Sequence, residues 1–450
     1  MQEKSISGLH KLSKTEKIQW LAKNFSADEG STLESLRSFW HEDAEIQRIL
    51  DGFSENTLSN FVFPYGIAPN FLVDGQMYAV PMVIEESSVV AAAASAAKFW
   101  LHKGGFKTSV LGTTKLGQLH FSWKGDSAKL QALMPALSHT LLNDVRHITH
   151  NMEKRGGGIS SIELQDMSHL EADYYQLKVG FQTCDSMGAN FINSVLEEFG
   201  RSLQHFISSQ SSLSASEREV EVIMAILSNY TPDCIVRAEV SCPVAQLDDA
   251  CINLDGAGFA EKFAKAVRIA EIDPYRATTH NKGIYNGVDA VVIATGNDFR
   301  ATEACGHTYA ARDGQYRSLS HCQVENGIFT FWLDLPIALG TVGGLTKLHP
   351  LANLSLEILG QPSAPELMSI IAATGLAQNF AAVRSLVTTG IQKGHMKMHL
   401  MNILNHLGGD PDDCTAAVEY FQDRVVSFSA VREFLDRRVE EKAKPAVNVM

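Results

Sequence analysis

The stretch Arg276 to His307, RATTHNKGIYNGVDAVVIATGNDFRATEACGH, gathers Arg276, His280, Asn281, Lys282, Asn286 and Asp298 around one apolar run. That run, Val288 to Thr295, is interrupted by a single acid, Asp289, and bounded by Gly287 and Gly296. Rigid apolar elements flanked by loops rich in Lys, Asp, Asn and Arg are where catalytic groups tend to sit. Taken alone, Asn297 or Asp298 could simply cap a helix beginning near Phe299, and Lys282 could be a solvated loop residue. Two further groups have reactive types. Glu85 and Glu86 stand just before an Ala-rich run, where acids are ordinarily first-turn residues favoured by the helix dipole. His395 and His399 lie one helical turn apart, a spacing that can bind metal, but neither the Glu of a zinc-protease motif nor a third ligand is nearby.

Longer blocks carry more than these residue types. DPYRATTHNKGIYNG followed by ATGNDFRA resembles hydroxymethylglutaryl-CoA (HMG-CoA) reductase of the second, mostly bacterial class. The resemblance continues in ENTLSNFVFPYGIAPNFLVDG, PMVIEESSVVAAAASAAK, DSMGANFINSVLE, GTVGGLTKLHPLANLSLEILG and GLAQNFAAVRSLVTTGIQKGHMKMH, in order over nearly the whole chain. It implies a four-electron reduction of HMG-CoA to mevalonate and CoA with two NAD(P)H. Glu86, Lys282, Asp298 and His395 would be catalytic, and Glu55, Ser88, Arg276 and Asn286 would contact substrate. Lys282 would face the oxyanion of the first hydride transfer, paired with Asp298. His395 would protonate the departing CoA thiolate, and Glu86 the oxygen of mevaldehyde. Arg276 suits the substrate carboxylate. A reductase of another carboxylated acyl-CoA, or a catalytically silent CoA- or nucleotide-binding scaffold, are the alternative functions.

The elements that must position these groups read as an α+β chain. Residues 1–111 open a large mixed α/β substrate-binding domain with an amphipathic helical arm. Apolar alternation at Tyr78, Val80 and Met82 marks a strand leading to Glu86, and Val89–Ala97 a helix capped by one of the serines. Residues 112–219 form a separate block: a strand at Leu119, Phe121 and Trp123, helical spacing from Ala128 to about Lys154, the break Gly156-Gly157-Gly158, strands at Ile159–Leu164 and Tyr174–Thr183, and a helix after Met187. With one more strand this is the βαββα(β) order of a ferredoxin-like domain, the kind of inserted, non-Rossmann domain in which the resembled family places its dinucleotide. No complete G-x-G-x-x-G exists, and Gly256-Ala257-Gly258 reads better as a turn before a helix. The cofactor signal is Asp185 to Asn190, with Asp185, Met187, Gly188 and Asn190 as binding residues: Gly188 permits close backbone approach and the next helix offers its positive end. Residues 220–389 return to the large domain, where Gly340, Gly343 and Gly344 with Leu345–His349 make a close-approach loop and Gln378 and Asn379 face CoA or the core. Residues 390–450 form a small helical flap.

Composition narrows the partners. No apolar run has the length of a membrane span and the polar N-terminus lacks a signal-peptide core, so a cytoplasmic protein with no membrane contact is expected. Seven scattered cysteines without a Cys-x-x-Cys pair read as reduced thiols, and no metal is expected. A net charge of −13 argues against nucleic acid and leaves anionic ligands to local basic patches, at Lys98, His102, Lys103 and Lys107 and at Arg146, His147, His150, Lys154 and Arg155. By the family layout Thr149 and His150 would face the adenine ribose, and the neutral and basic surroundings favour NADPH over NADH. Twelve residues separate Asn286 from Asp298, about 18 Å if helical, so one segment cannot wrap a single thioester. A homodimer with shared sites is expected.

Overall fold

The computed structural model describes residues 4–250, 253–388, 390, 400–421 and 424–443. Three helices form an N-terminal arm, α1 (Lys14–Phe25), α2 (Glu29–Ser38) and α3 (Ala44–Asp51). A hairpin follows, β1 (Tyr65–Val73) and β2 (Gln76–Val83), then α4 (Val89–Leu101) and β3 (Lys107–Thr113). Next come β4 (Lys115–Trp123), α5 (Ser127–Asp144), α6 (Arg146–Glu153), β5 (Gly158–Asp166), β6 (Tyr174–Gln182), α7 (Ala189–Ser208) and β7 (Val220–Ser228). The chain continues through β8 (Cys234–Pro243), α8 (Gly256–Ile272), α9 (Pro274–Ala294), α10 (Phe299–Ala310), β9 (Ser320–Glu325), β10 (Ile328–Pro336), α11 (Leu345–Leu348), α12 (Pro350–Ile358) and α13 (Ala364–Val387). Helices Pro411–Tyr420 and Phe428–Ala443 end the described chain. The fold is α+β.

Two four-stranded antiparallel sheets organise it. The first runs β3-β8-β10-β9, the second β5-β6-β4-β7. The second, with α5 to α7 interleaved between its strands, has the βαββαβ succession of a ferredoxin-like unit. Its last strand, β7, extends past residue 219. It is inserted between β3 and β8, which are themselves paired, Thr113 against Cys234. The chain therefore leaves and re-enters the larger sheet at adjacent points. The helical reading from Ala128 to Lys154 resolves into two helices that change direction at Val145, which has φ −89° and ψ 2°.

Each sheet backs its own core. The larger core joins α4, α8 and α13 to the first sheet through Trp100, Phe263, Phe329, Phe331 and Phe380. The smaller packs Leu119, Phe121 and Phe181 of the second sheet on Leu137, Leu196 and Phe199. Helix α13 is long and apolar enough by length and composition to cross a membrane, against the sequence reading, but 72% of its apolar window is buried in the fold. A helix apolar all round belongs where it is covered all round. Glycines let it approach α9: a Cβ on Gly287 would lie 2.8 Å from Gln378 Cβ, and one on Gly375 2.7 Å from Val288 Cγ2. Gln378 and Asn379 are accordingly core residues.

Candidate active site

Helix α9 replaces the loop expected around Lys282. Asp273 caps it by accepting from Tyr275 N at 3.1 Å, and Pro274 occupies the first turn. Its buried stripe is Ala277, His280, Asn281, Ile284, Tyr285, Val288, Val291 and Val292. Two polar residues in that stripe disguise it in the sequence. Asn281 accepts from Leu319 N and donates to the Arg317 carbonyl. Ser320 donates to Asn379 Oδ1 at 2.7 Å and takes a hydrogen bond from His280 Nε2 at 2.6 Å. Burial drives His280 down to about 3. The imidazole is held neutral inside the fold, and His280 and Asn281 both bond to residues 317–320 in the core.

The opposite face of α9 carries the site. Lys282 and Asn286, one turn apart, reach the loop between β2 and α4. Lys282 Nζ donates to Glu86 Oε2 at 2.9 Å, and Asn286 Nδ2 donates to the same oxygen at 3.4 Å. The Lys282 side chain is 62% exposed and that of Glu86 34%, so both remain open to a ligand. Ser88 stands at the N-cap of α4 but makes no capping hydrogen bond, contrary to expectation. Arg276, half-buried on α9, has no hydrogen bond or ion pair among the described residues, and burial lowers its pKa. An unpaired, partly desolvated guanidinium is a ready carboxylate receptor. Glu55 lies in an exposed turn beside Phe53, whose ring stacks on His349.

Asp298 does not meet Lys282 within the chain. It caps α10, accepting from Arg300 N and Ala301 N, and pairs with the Arg300 guanidinium at 3.0 Å. Partial burial raises its pKa, and Arg300 with the cap bonds more than offsets this, holding the carboxyl below its ordinary value. Helix geometry explains the separation, since Lys282 to Ala294 spans about 18 Å of rise. His395 lies outside the described residues.

The segment Asp185 to Asn190 forms a tight turn leading into α7. Gly188 has φ 87° and caps α7 with no side-chain bond, so the first N–H groups of the helix stay open. A Cβ there would sit 2.5 Å from Thr183 Cγ2, so the position needs glycine for space as well as for φ. Met187 is half-buried and Asn190 exposed. Asp185 Oδ1 accepts from Ala364 N at 2.8 Å, which makes part of its role the anchoring of this turn to α13. An uncapped helix N-terminus approached over a glycine fits a pyrophosphate.

Thr149 departs from expectation. It is 1% exposed and its hydroxyl, which has no partner, faces inward rather than toward a ribose. The reason is helix phase: α6 buries Thr149 and Met152 and turns Arg146, His147 and His150 outward. Counting back from Gly156 therefore lands on the buried face of this helix. In the other basic patch Lys103 pairs with Asp249 at 2.8 Å. Leu345–Leu348 is a short helix rather than a loop, and of the three nearby glycines only Gly340 is closely approached.

Sequence reasoning missed two buried groups. Lys115 opens β4 at 6% exposure, and its one visible signal is a lone charge in an apolar strand. Asp289 touches Glu303 of α10, and burial first, then Glu303, pushes its carboxyl up to about 8. Among the described residues no group of three or more His, Cys, Asp or Glu side chains could hold a metal, and the six cysteines there are free.

Residues 13–400 match the family model described as hydroxymethylglutaryl-coenzyme A reductase. The chain belongs to the hydroxymethylglutaryl-coenzyme A reductase family. Among curated relatives, the 3-hydroxy-3-methylglutaryl-coenzyme A reductase of Archaeoglobus fulgidus is 35% identical over 96% of this chain and 94% of its own. A probable HMG-CoA reductase of Borreliella burgdorferi is 31% identical over 83% and 82%. The class II HMG-CoA reductase of Streptococcus pneumoniae, solved bound to NADPH in open conformations, superposes with a TM-score of 0.69 at 35% identity, covering 85% of this chain and all of that one. A second S. pneumoniae structure covers 96% of this chain at a TM-score of 0.70. These matches put the chain in the class II branch of the HMG-CoA reductases, and they favour neither a silent scaffold nor a reductase of some other acyl-CoA.

Proposed function

We propose that the chain reduces HMG-CoA to mevalonate and CoA at a centre built on Glu86, Lys282 and Asn286, using NADPH. The observation that carries this reading is the Lys282 Nζ–Glu86 Oε2 contact at 2.9 Å, with Asn286 on the same oxygen, in an HMG-CoA reductase chain. Lys282 faces the thioester oxygen and takes up the negative charge that forms on it. Asn286 holds Glu86 against Lys282. NADPH supplies hydride twice. His395 gives a proton to the CoA thiolate as the hemithioacetal collapses, and Glu86 protonates the oxygen of the resulting mevaldehyde. Arg276 receives the substrate carboxylate, and Glu55 and Ser88 add contacts.

The cofactor lies on the inserted unit, its phosphates at the open N-terminus of α7 with Asp185, Met187, Gly188 and Asn190 around it. The exposed Arg146, His147 and His150 on α6 support a 2′-phosphate, hence NADPH over NADH. Asp298 serves the Lys282 of a second copy, because within one chain it is committed to Arg300. The protein then works as a homodimer with shared sites, in the cytoplasm. The test is HMG-CoA-dependent oxidation of NADPH, measured against a panel of CoA thioesters. Turnover confined to HMG-CoA and close carboxylated analogues is expected. No turnover with HMG-CoA would overturn the reading.

A further inference from the structure

We propose that Lys115 is the positioning residue of the dinucleotide turn. This rests on the reading of Asp185–Asn190 as the cofactor's phosphate site. Lys115 is the first residue of β4 and 6% exposed, in a strand whose other buried side chains include Leu119, Phe121 and Trp123. Its ammonium donates to Thr183 Oγ1 at 2.6 Å, to the Ser186 carbonyl at 2.6 Å and to the Leu339 carbonyl at 3.2 Å. All three of its hydrogens are used, and no carboxylate is among the acceptors. Burial lowers the pKa of this lysine and Asp185 nearby offsets that only in part, so holding an ammonium here costs free energy, and an apolar side chain would pack this strand at no such cost. The charge is therefore explained by what it holds.

Two of its acceptors, Thr183 and Ser186, belong to the turn that starts α7. Thr183 Oγ1 itself donates to the Ser186 carbonyl at 2.6 Å, so the lysine locks a turn already closed on itself. The third acceptor, Leu339, belongs to the segment following β10, in the larger unit. The same seam is completed by Thr341 N, which donates to the Asp185 carbonyl, and by Ala364 N on the Asp185 side chain. A Cβ on Gly340 would fall 2.5 Å from Met187 N, so the two backbones touch there. Gly340 N donates to Asn297 Oδ1, next to Asp298 at the cap of α10. Lys115 thus lies at the centre of a knot that fixes the open end of α7 relative to the larger unit. Without it the N–H groups meant for the phosphates lose their fixed aim, while Glu86, Lys282 and Arg276 are untouched.

The test is steady-state kinetics on the full chain with Lys115→Met and, as a shape-conserving variant that removes one acceptor of the lysine together with the Thr183–Ser186 bond, Thr183→Val. Lys115→Met is expected to raise KM for NADPH about tenfold or more, the scale of lost charge-assisted hydrogen bonds, with KM for HMG-CoA unchanged and kcat reduced less. Thr183→Val shifts KM for NADPH the same way by a smaller factor, and Lys115→Arg restores part of the loss. A merely structural lysine would lower the active fraction, hence kcat, with both KM values unmoved, and that result in Lys115→Met and Thr183→Val would overturn the proposal. If Lys115→Met fails to fold, Thr183→Val decides alone. Asn190→Asp, which places a negative charge in the exposed first turn of α7, separates the premises. If it leaves KM for NADPH unchanged, the phosphate site is elsewhere. If it raises KM while the Lys115 and Thr183 variants do not, the proposal for Lys115 alone fails.

Discussion

Replacing Lys282 with Ala separates the stability of this site from its chemistry. In the folded chain the Lys282 side chain is 62% exposed and that of its Glu86 partner 34%. An ion pair that open contributes about 0.2–1 kcal/mol to stability. The backbone of α9 also loses nothing, because Ala is the best helix former and the buried stripe lies on the other face. The melting temperature should therefore move by no more than about 2–4 °C. The charge placed against a developing oxyanion is worth far more, about 3–4 kcal/mol, which is ~10²–10³ in rate. Both half-reactions generate negative charge on the same oxygen, so HMG-CoA reduction and the reduction of added mevaldehyde should fall together by that factor or more. The measurement is kcat for each substrate in wild type and Lys282→Ala, beside a thermal melt. Normal mevaldehyde reduction in a folded variant would refute the assigned role. So would a large loss of stability, since the pair would then be structural.

Further outcomes follow from particular contacts. Asp289 is held up to about 8 by burial and by Glu303. A carboxyl raised in the folded state contributes most stability at low pH and loses it as pH climbs from the ordinary carboxylate range to the folded value. Asp289→Asn should gain on wild type between about pH 5 and about pH 8 by roughly 1–3 kcal/mol, and parallel stability curves would dispose of the idea. If Asp298 serves a second copy, dimers reassembled from Lys282→Ala and Asp298→Ala chains regain about a quarter of wild-type activity, from one intact site in half the dimers. Mixtures as inactive as either parent would argue that the site is not shared. His150→Asp, on the open face of α6, should lower the NADPH-to-NADH ratio of kcat/KM through repulsion of the 2′-phosphate, and an unchanged ratio would place that phosphate elsewhere. Thr149→Asp is no substitute, because it would bury a carboxylate where the native hydroxyl already finds no partner.

What could be read from the residues, and what could not, has physical causes. Leu119, Phe121 and Trp123 of β4 and Tyr175, Leu177, Val179 and Phe181 of β6 alternate because one face of their sheet packs on helices, so these strands were visible. Helix α9 was not, because His280 and Asn281 sit in its buried stripe and hydrogen-bond to residues 317–320, which lie far along the chain. The same blindness hid Thr149, whose helix phase depends on the break at Val145. It hid Lys115 too, whose three acceptors come from segments 68, 71 and 224 residues away. That Glu86 and Lys282 meet across 196 residues is equally non-local. Only the long blocks shared with a known family drew attention to both residues at once, and spacing alone had no means to do so. Conversely, spacing did argue that Asp298 lies too far along the chain from Asn286 to join it, and in the fold Asp298 pairs with Arg300 instead.

The most direct test of the account is a full stoichiometry on purified wild-type protein, with NADPH oxidation and CoA thiol release followed together at limiting HMG-CoA. A centre that carries one substrate through both hydride transfers predicts two NADPH oxidised for each thiol released, with mevalonate as the product and no free mevaldehyde accumulating. One NADPH per thiol, with an aldehyde as the end product, or no thiol release at all, would contradict it.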